Sequence, residues 1–180
     1  MEREEKIQNM IEKLTKEPVS HNVDSLEITL FLNEEPVPYA RSRFTRFGGS
    51  KGKGRVYNQN GNYMKRIRKV FQSQIDKQTK EKIKNIIDDQ ENHQYYVTVS
   101  GNFYISIPKS ESIKRTALKE LQIIRPTNRR GDVDNYIKLI LDVLHEVVYD
   151  DDSHVISVSS EKYFSINPRV ELQIKIEYEV

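Results

Sequence analysis

The stretch from Val170 to Tyr178 constrains the fold most, because Val170, Leu172, Ile174, Ile176 and Tyr178 alternate with Glu171, Gln173, Lys175 and Glu177. A period of two puts the apolar set on one side of a strand and the polar set on the other, so this segment needs neighbouring strands and an apolar layer to cover one face. Val155 to Phe164 supplies a strand before it, across a turn around Asn167 and Pro168. Tyr95 to Ile107 is rich in β-branched and aromatic residues and reads as one long strand or two, with Gly101 a possible bulge; Leu26 to Leu32 is a further candidate. The covering layer is predicted as helix. Ile137, Ile140, Leu141, Leu144 and Val148 make one stripe over Asp134 to Val148, with Asp134 suited to the N-cap or first turn. Asn62 to Ile87 predicts a second helix, with Ile67, Val70, Phe71 and Ile75 at helical spacing. Ile7, Met10, Ile11 and Leu14 predict a short helix that ends before Pro18. The expected class is α+β, a mixed β-sheet packed with helices. The expected organisation is an N-terminal helical extension, residues 1–24, followed by one domain, residues 25–180, and 180 residues suit one ordinary domain.

The chain has no cysteine, which excludes a disulfide framework and any thiolate metal site. No segment approaches the ~20 apolar residues that span a bilayer, so a soluble, unexported, cytoplasmic protein without a membrane partner is expected. The net charge of +2 conceals an uneven distribution. From Pro36 to Ile75 there is no Asp or Glu, while Arg41, Arg43, Arg46, Lys51, Lys53, Arg55, Lys65, Arg66, Arg68 and Lys69 give ten positive charges, leaving a net −8 elsewhere. Phe44, Phe47, Tyr57 and Tyr63 are interleaved with them, and Gly48, Gly49, Gly52 and Gly54 mark a flexible loop. One-sign charge with aromatics suits phosphate contacts and base stacking; a solvated basic loop is the plainer alternative. Phe44, Phe47 and Tyr57 could equally fill a core beneath the loop.

Carboxylates concentrate between Asp132 and Asp152. Asp132 and Asp134 stand two apart, so in extended backbone their side chains point to the same side and can share a cation. Asp151 and Asp152 follow the helix and precede a strand, where a compact unit can bring a third carboxylate toward the first two. Hard oxygen donors suit Mg²⁺ or Mn²⁺. Lys138 lies one turn after Asp134 on the same helix face, within reach of a phosphate oxygen or an attacking water. A calcium EF-hand loop from Asp132 is excluded, since its sixth and twelfth positions hold Ile137 and Val143 rather than Gly and Glu. An aspartate-nucleophile phosphatase is disfavoured because Asn128, Arg129, Arg130 and Gly131, not a hydrophobic strand, precede Asp132. The competing structural reading makes Asp132 and Asp134 helix caps, pairs Lys138 with Asp142, and leaves Asp150 to Asp152 a solvated turn. His21, His93, His145 and His154 have no metal-ligand spacing and read as surface histidines.

The pattern Asp-x-Asp-Asn-x-x-Lys-x-x-x-Asp, followed by an aromatic, a spacer, Asp-Asp and a hydrophobic strand, resembles the RusA family of Holliday junction resolvases, the crossover junction endodeoxyribonucleases. Asp132, Asp134, Asn135, Lys138, Asp142, Tyr149, Asp151, Asp152 and Val155 stand at the matching places. Upstream, Glu35 to Tyr57, with EPVPYARSRFTR before the Gly-rich loop, is similar to the family's basic N-terminal motif. The resemblance implies a homodimer that nicks four-way DNA junctions symmetrically with Mg²⁺, for which Mn²⁺ substitutes, leaving 5′-phosphate and 3′-hydroxyl ends. It implies Asp132, Asp134 and Asp152 as metal-binding catalytic carboxylates and Lys138 as the catalytic lysine. Asn135, Asp142 and Asp151 are implied in support. Arg41, Arg43, Arg46, Lys51, Lys53, Arg55, Lys65, Arg66 and Lys69 are the expected DNA contacts. A non-catalytic basic DNA-binding module is the alternative, and a carboxylate-rich cation-binding domain a third reading.

The chain departs from the family at His154, where Gln is usual, a change that could make activity more pH-sensitive. It departs again at His145-Glu146, where an Asn-Gly-like turn is common. Residues 1–24 are an addition to the family core, expected to serve structure or a dimer edge.

Overall fold

A computed structural model describes residues 2–16, 22–40, 43–46, 54–57, 59–89, 94–127 and 131–179. In chain order the elements are α1 (Glu2–Lys16), β1 (Val23–Leu32), β2 (Arg43–Arg46), β3 (Gly54–Tyr57), α2 (Gly61–Gln74), α3 (Lys77–Asp88), β4 (Tyr95–Ser106), α4 (Ile113–Glu120), α5 (Val133–Leu144), β5 (Val155–Ser165) and β6 (Arg169–Glu179). The fold is α+β, as the patterns predict. Four strands form one sheet in the order β1-β6-β4-β5, and β2 and β3 form a separate antiparallel pair.

β6 sits inside the sheet, antiparallel to both β1 and β4, and its alternation does what the sequence requires. Val170, Leu172, Ile174 and Ile176 are buried beside Ile28, Leu30 and Leu32 of β1 and Tyr95, Val97, Val99, Phe103 and Ile105 of β4. Each such side chain contributes on the order of 1.5–3 kcal/mol by leaving water. α2 and α5 cover this face, meeting each other, β1 and β5. The other face is polar: Glu27, Lys175 and Thr98 share one row, and Ser159 donates to Ser100 across 2.9 Å.

β4 and β5 pair in parallel. A parallel pair cannot be closed by a tight turn and needs a crossover, which here carries α4 and α5. That connection brings the acidic stretch onto the sheet.

Several boundaries differ from expectation. β4 is one strand running straight through Gly101; the irregularity lies opposite Val97 and Thr98, where Ile156 is the extra residue in β5. Gly101 is instead a close approach, since a β-carbon there would stand 3.0 Å from Ile137 Cδ1 and 3.1 Å from the Phe103 ring. The helix expected over residues 62–87 is two. Asp76 adopts extended backbone and caps α3, accepting from the Thr79 amide at 3.0 Å and the Thr79 hydroxyl at 2.6 Å. α5 ends at Leu144 rather than Val148 because Glu146 turns the chain with φ +67°, and the buried Tyr149 donates its hydroxyl to Leu141 O at 2.7 Å. α4, which the hydrophobic pattern does not signal, starts from a Ser112 cap on the Arg115 amide. α1 forms as expected, with Ile7, Met10, Ile11 and Leu14 about half exposed.

The C-terminal end of α5 is finished by a side chain from α2. Arg68 donates to Asp142 O at 2.9 Å and Val143 O at 3.2 Å, and reaches Glu146 Oε2 at 3.2 Å. These carbonyls have no partner within the helix, and a cation at this end also suits the helix dipole. Arg68→Ala is expected to destabilise the domain by about 1–3 kcal/mol, read as a lower urea midpoint at unchanged m. Arg68→Lys recovers only part of this, because an ammonium lacks the guanidinium fork.

Candidate active site

Asp132 occupies the N-cap position of α5 in extended backbone (φ −82°, ψ 151°), but its side chain makes no capping hydrogen bond. Asp134 is exposed in the first turn. Asp132 holds the cap position and Asp134 the first turn, as the structural reading has it, but neither carboxylate accepts a hydrogen bond from the described residues, so neither side chain is committed to a capping bond. The chain before them is held tightly. Gly131 has φ +108°, and a β-carbon there would stand 2.7 Å from Pro38 Cβ and 3.6 Å from the Tyr136 ring. Its carbonyl accepts from Lys162 Nζ of β5 at 2.9 Å. The next residue along the clamp, Tyr39, donates its amide to Asn135 O at 2.8 Å.

Lys138, exposed and one turn on from Asp134, holds its ammonium 4.7 Å from the centroid of the Tyr39 ring. A cation over an aromatic face is positioned without a direct salt bridge, and among the described residues Lys138 makes none, so its charge stays available to an anion. Asp142 lies one further turn along, about 12 Å of helix axis from Asp134. Burial raises its pKa first, the Asp152 charge raises it further, and Lys138, His145 and Arg68 oppose the rise. Asp152 therefore lies within Coulombic reach of Asp142, and along α5 Lys138 lies between two acidic groups, one turn from Asp134 on one side and one turn from Asp142 on the other.

The residues after α5 divide their work. Asp151 accepts from the Ser153 amide at 2.7 Å and caps the short 3₁₀ turn Asp152–His154, which holds its carboxyl below the usual range. Asp150 accepts from the buried Tyr95 hydroxyl at 2.5 Å. The His154 ring stacks on Tyr95 at 3.8 Å, with Nδ1 3.1 Å from Tyr95 O. Asp152 itself is exposed.

Among the described residues no group of three or more His, Asp or Glu is gathered into a metal cage, so Asp132, Asp134 and Asp152 do not form one cluster within the chain. The donor chemistry still fits a hard divalent cation: the groups are carboxylates, two are uncommitted, and the like-charge pressure of Asp152 on Asp142 is what a cation relieves.

Of the expected DNA contacts, Lys65, Arg66 and Lys69 share the exposed side of α2, with Arg66 paired to Glu34 at 2.5 Å and lying over the Tyr63 ring. Arg43 and Arg46 are in β2 and Arg55 in β3, where the pairing sets Arg43 opposite Tyr57 and Arg55 opposite Thr45. Arg41, Lys51 and Lys53 lie outside the described residues, as do Phe47, His21 and His93.

Tyr39, Arg68 and Lys162 are missing from the expected site residues. Lys162 did leave a signal, the one charge on a strand face that otherwise carries Val158, Ser160 and Phe164. Tyr39 had only its place in the Pro-rich motif.

Fold and site together define an α+β domain with an acidic helix start, a central lysine and a basic helix alongside. The chain belongs to the Endodeoxyribonuclease RusA family, whose sequence profile matches residues 33–175. It is also similar to Uncharacterized protein YqaN of Bacillus subtilis (strain 168), 38% identical over 81 residues, which is 44% of this chain and 56% of that protein. The match thus spans little more than half the length of that relative. Among the described residues no helix is long and apolar enough to cross a membrane.

Proposed function

We propose that this chain is a structure-selective DNA endonuclease that resolves Holliday junctions by symmetric, divalent-metal-dependent phosphodiester hydrolysis as a homodimer. The observation that carries the reading is Lys138, held over Tyr39 between two acidic groups. A scissile phosphate bound over this ammonium has carboxylates on both sides. Asp132 and Asp134 are the residues that would hold Mg²⁺, or Mn²⁺ in its place, and Asp152, which is not gathered with them, would have to move toward them to complete the set. When bound, the cation polarises the phosphate and makes an attacking water more acidic. Lys138 stabilises the charge that builds on the phosphate oxygens, and Tyr39 fixes where that charge must develop. Lys65, Arg66 and Lys69 bind the flanking backbone, with the basic segment from Arg41 to Arg55 extending the contact.

A synthetic four-way junction and a matched linear duplex, each with and without Mg²⁺, test the proposal. Symmetric nicks in the junction alone, and only with metal, are the expected result. Salt-sensitive binding without nicking in Mg²⁺ or Mn²⁺ would instead establish a non-catalytic DNA-binding module. A monomer at catalytic concentration by light scattering would remove the homodimer.

A further inference from the structure

We infer that Lys162 is a positioning residue of the cleavage site, an anchor that sets where Asp132 stands through the backbone of Gly131. The inference rests on the endonuclease reading, though its structural basis is independent of it. Lys162 lies on β5 opposite Phe103 of β4, on the sheet face that the helices cover. A lysine there has either to leave that face or find an acceptor. It finds Gly131 O, 2.9 Å from Nζ, a half-buried bond to the residue immediately before the unused cap.

The other restraints on Gly131 are steric. Pro38 bars a side chain on one side, and the Tyr136 ring, stacked on Phe103 at 5.3 Å, floors the turn. Neither fixes the direction of the Gly131 carbonyl, and glycine at positive φ offers little resistance to a peptide flip. Lys162 alone among the described residues donates to that carbonyl. On the far side of Asp132, its own carbonyl accepts from the Asn135 and Tyr136 amides at 3.1 and 3.4 Å. The Asp132 backbone is thus tethered at both ends by hydrogen bonds while its carboxylate stays uncommitted. An outer group that orients a ligand this way commonly changes metal affinity or activity about 10- to 100-fold when removed.

The test uses Lys162→Met, which keeps the stem and removes the donor, and Lys162→Arg, which restores one. Lys162→Met is expected to weaken binding of Mn²⁺ alone about 10-fold or more and to lower kcat on saturating junction about 10- to 100-fold. Junction affinity without metal should stay within about two-fold, because the lysine is turned toward the peptide and not toward phosphate. Lys162→Arg should recover most of the metal affinity. Amide hydrogen exchange reads the anchor through the Asn135 and Tyr136 amides, which donate to Asp132 O: they should exchange at least about 10-fold faster in Lys162→Met, with the sheet unchanged. Unchanged exchange, or a large loss of metal-free junction affinity with kcat retained, overturns the inference. A wild-type chain that never nicks junctions overturns the endonuclease reading alone, and exchange and Mn²⁺ binding then still decide the role of Lys162.

Discussion

Asp132→Asn lowers junction cleavage by about 10³-fold or more while leaving junction binding within a few-fold, on the expectation that its carboxylate holds the cation rather than the fold. The substitution is nearly isosteric. The Asp132 side chain makes no capping bond that Asn would have to replace, and Asn is itself a good N-cap. The basic side of α2 is untouched. Gel-shift affinity in Ca²⁺, single-turnover cleavage in Mg²⁺ and thermal unfolding together separate the possibilities. Binding lost in parallel with cutting would show that Asp132 organises the DNA surface, and cleavage retained would remove it from the metal site. Asp134→Asn should behave alike, for the same lack of hydrogen-bond partners among the described residues.

Gly131→Ala is the second large effect, and here stability and activity fall together. A β-carbon at φ +108° is strained by about 1–3 kcal/mol before contacts are considered. It also collides with Pro38 Cβ at 2.7 Å and Cγ at 2.9 Å, a ring that cannot swing aside as a flexible side chain would. The chain must shift, and Asp132 and the Lys162 anchor shift with it. Misplacement of about 1 Å at a reacting centre can cost on the order of 10²-fold in rate. The expected variant folds, melts lower and cuts about 10²-fold more slowly, with the loss in kcat. Full cleavage with the stability loss alone would show that the turn carries no catalytic geometry.

The sheet was legible where burial alternates. Val170 to Tyr178 predicted β6 to within a residue at each end, since one wet and one buried face leave only one register. The break between α2 and α3 was hidden because Phe71, Ile75 and Ile83 all face the core, so the apolar rhythm continues across Asp76. Only the short Asp76-to-Thr79 cap marks the interruption. The parallel pairing of β4 with β5 is a tertiary choice that no local pattern encodes. At the site, the candidate carboxylates were readable from spacing. Their arrangement was not, because Asp152 comes within Coulombic range of Asp142 only through the turn that Glu146 and Tyr149 build after α5. Lys162 escaped notice for a related reason: its partner is a backbone carbonyl thirty-one residues away in sequence.

The Arg68 bridge has a mechanical consequence. Because one guanidinium fastens α2 to the end of α5, the helix that carries Lys65 and Lys69 and the helix that carries Asp134 and Lys138 behave as the two jaws of a fixed gauge. Such a gauge cannot adapt to its substrate. On the proposed function, DNA would have to arrive with its phosphates already at the spacing between the jaws, and a branch point, whose strands are free to splay, would meet that spacing more readily than a stiff duplex that must first be bent.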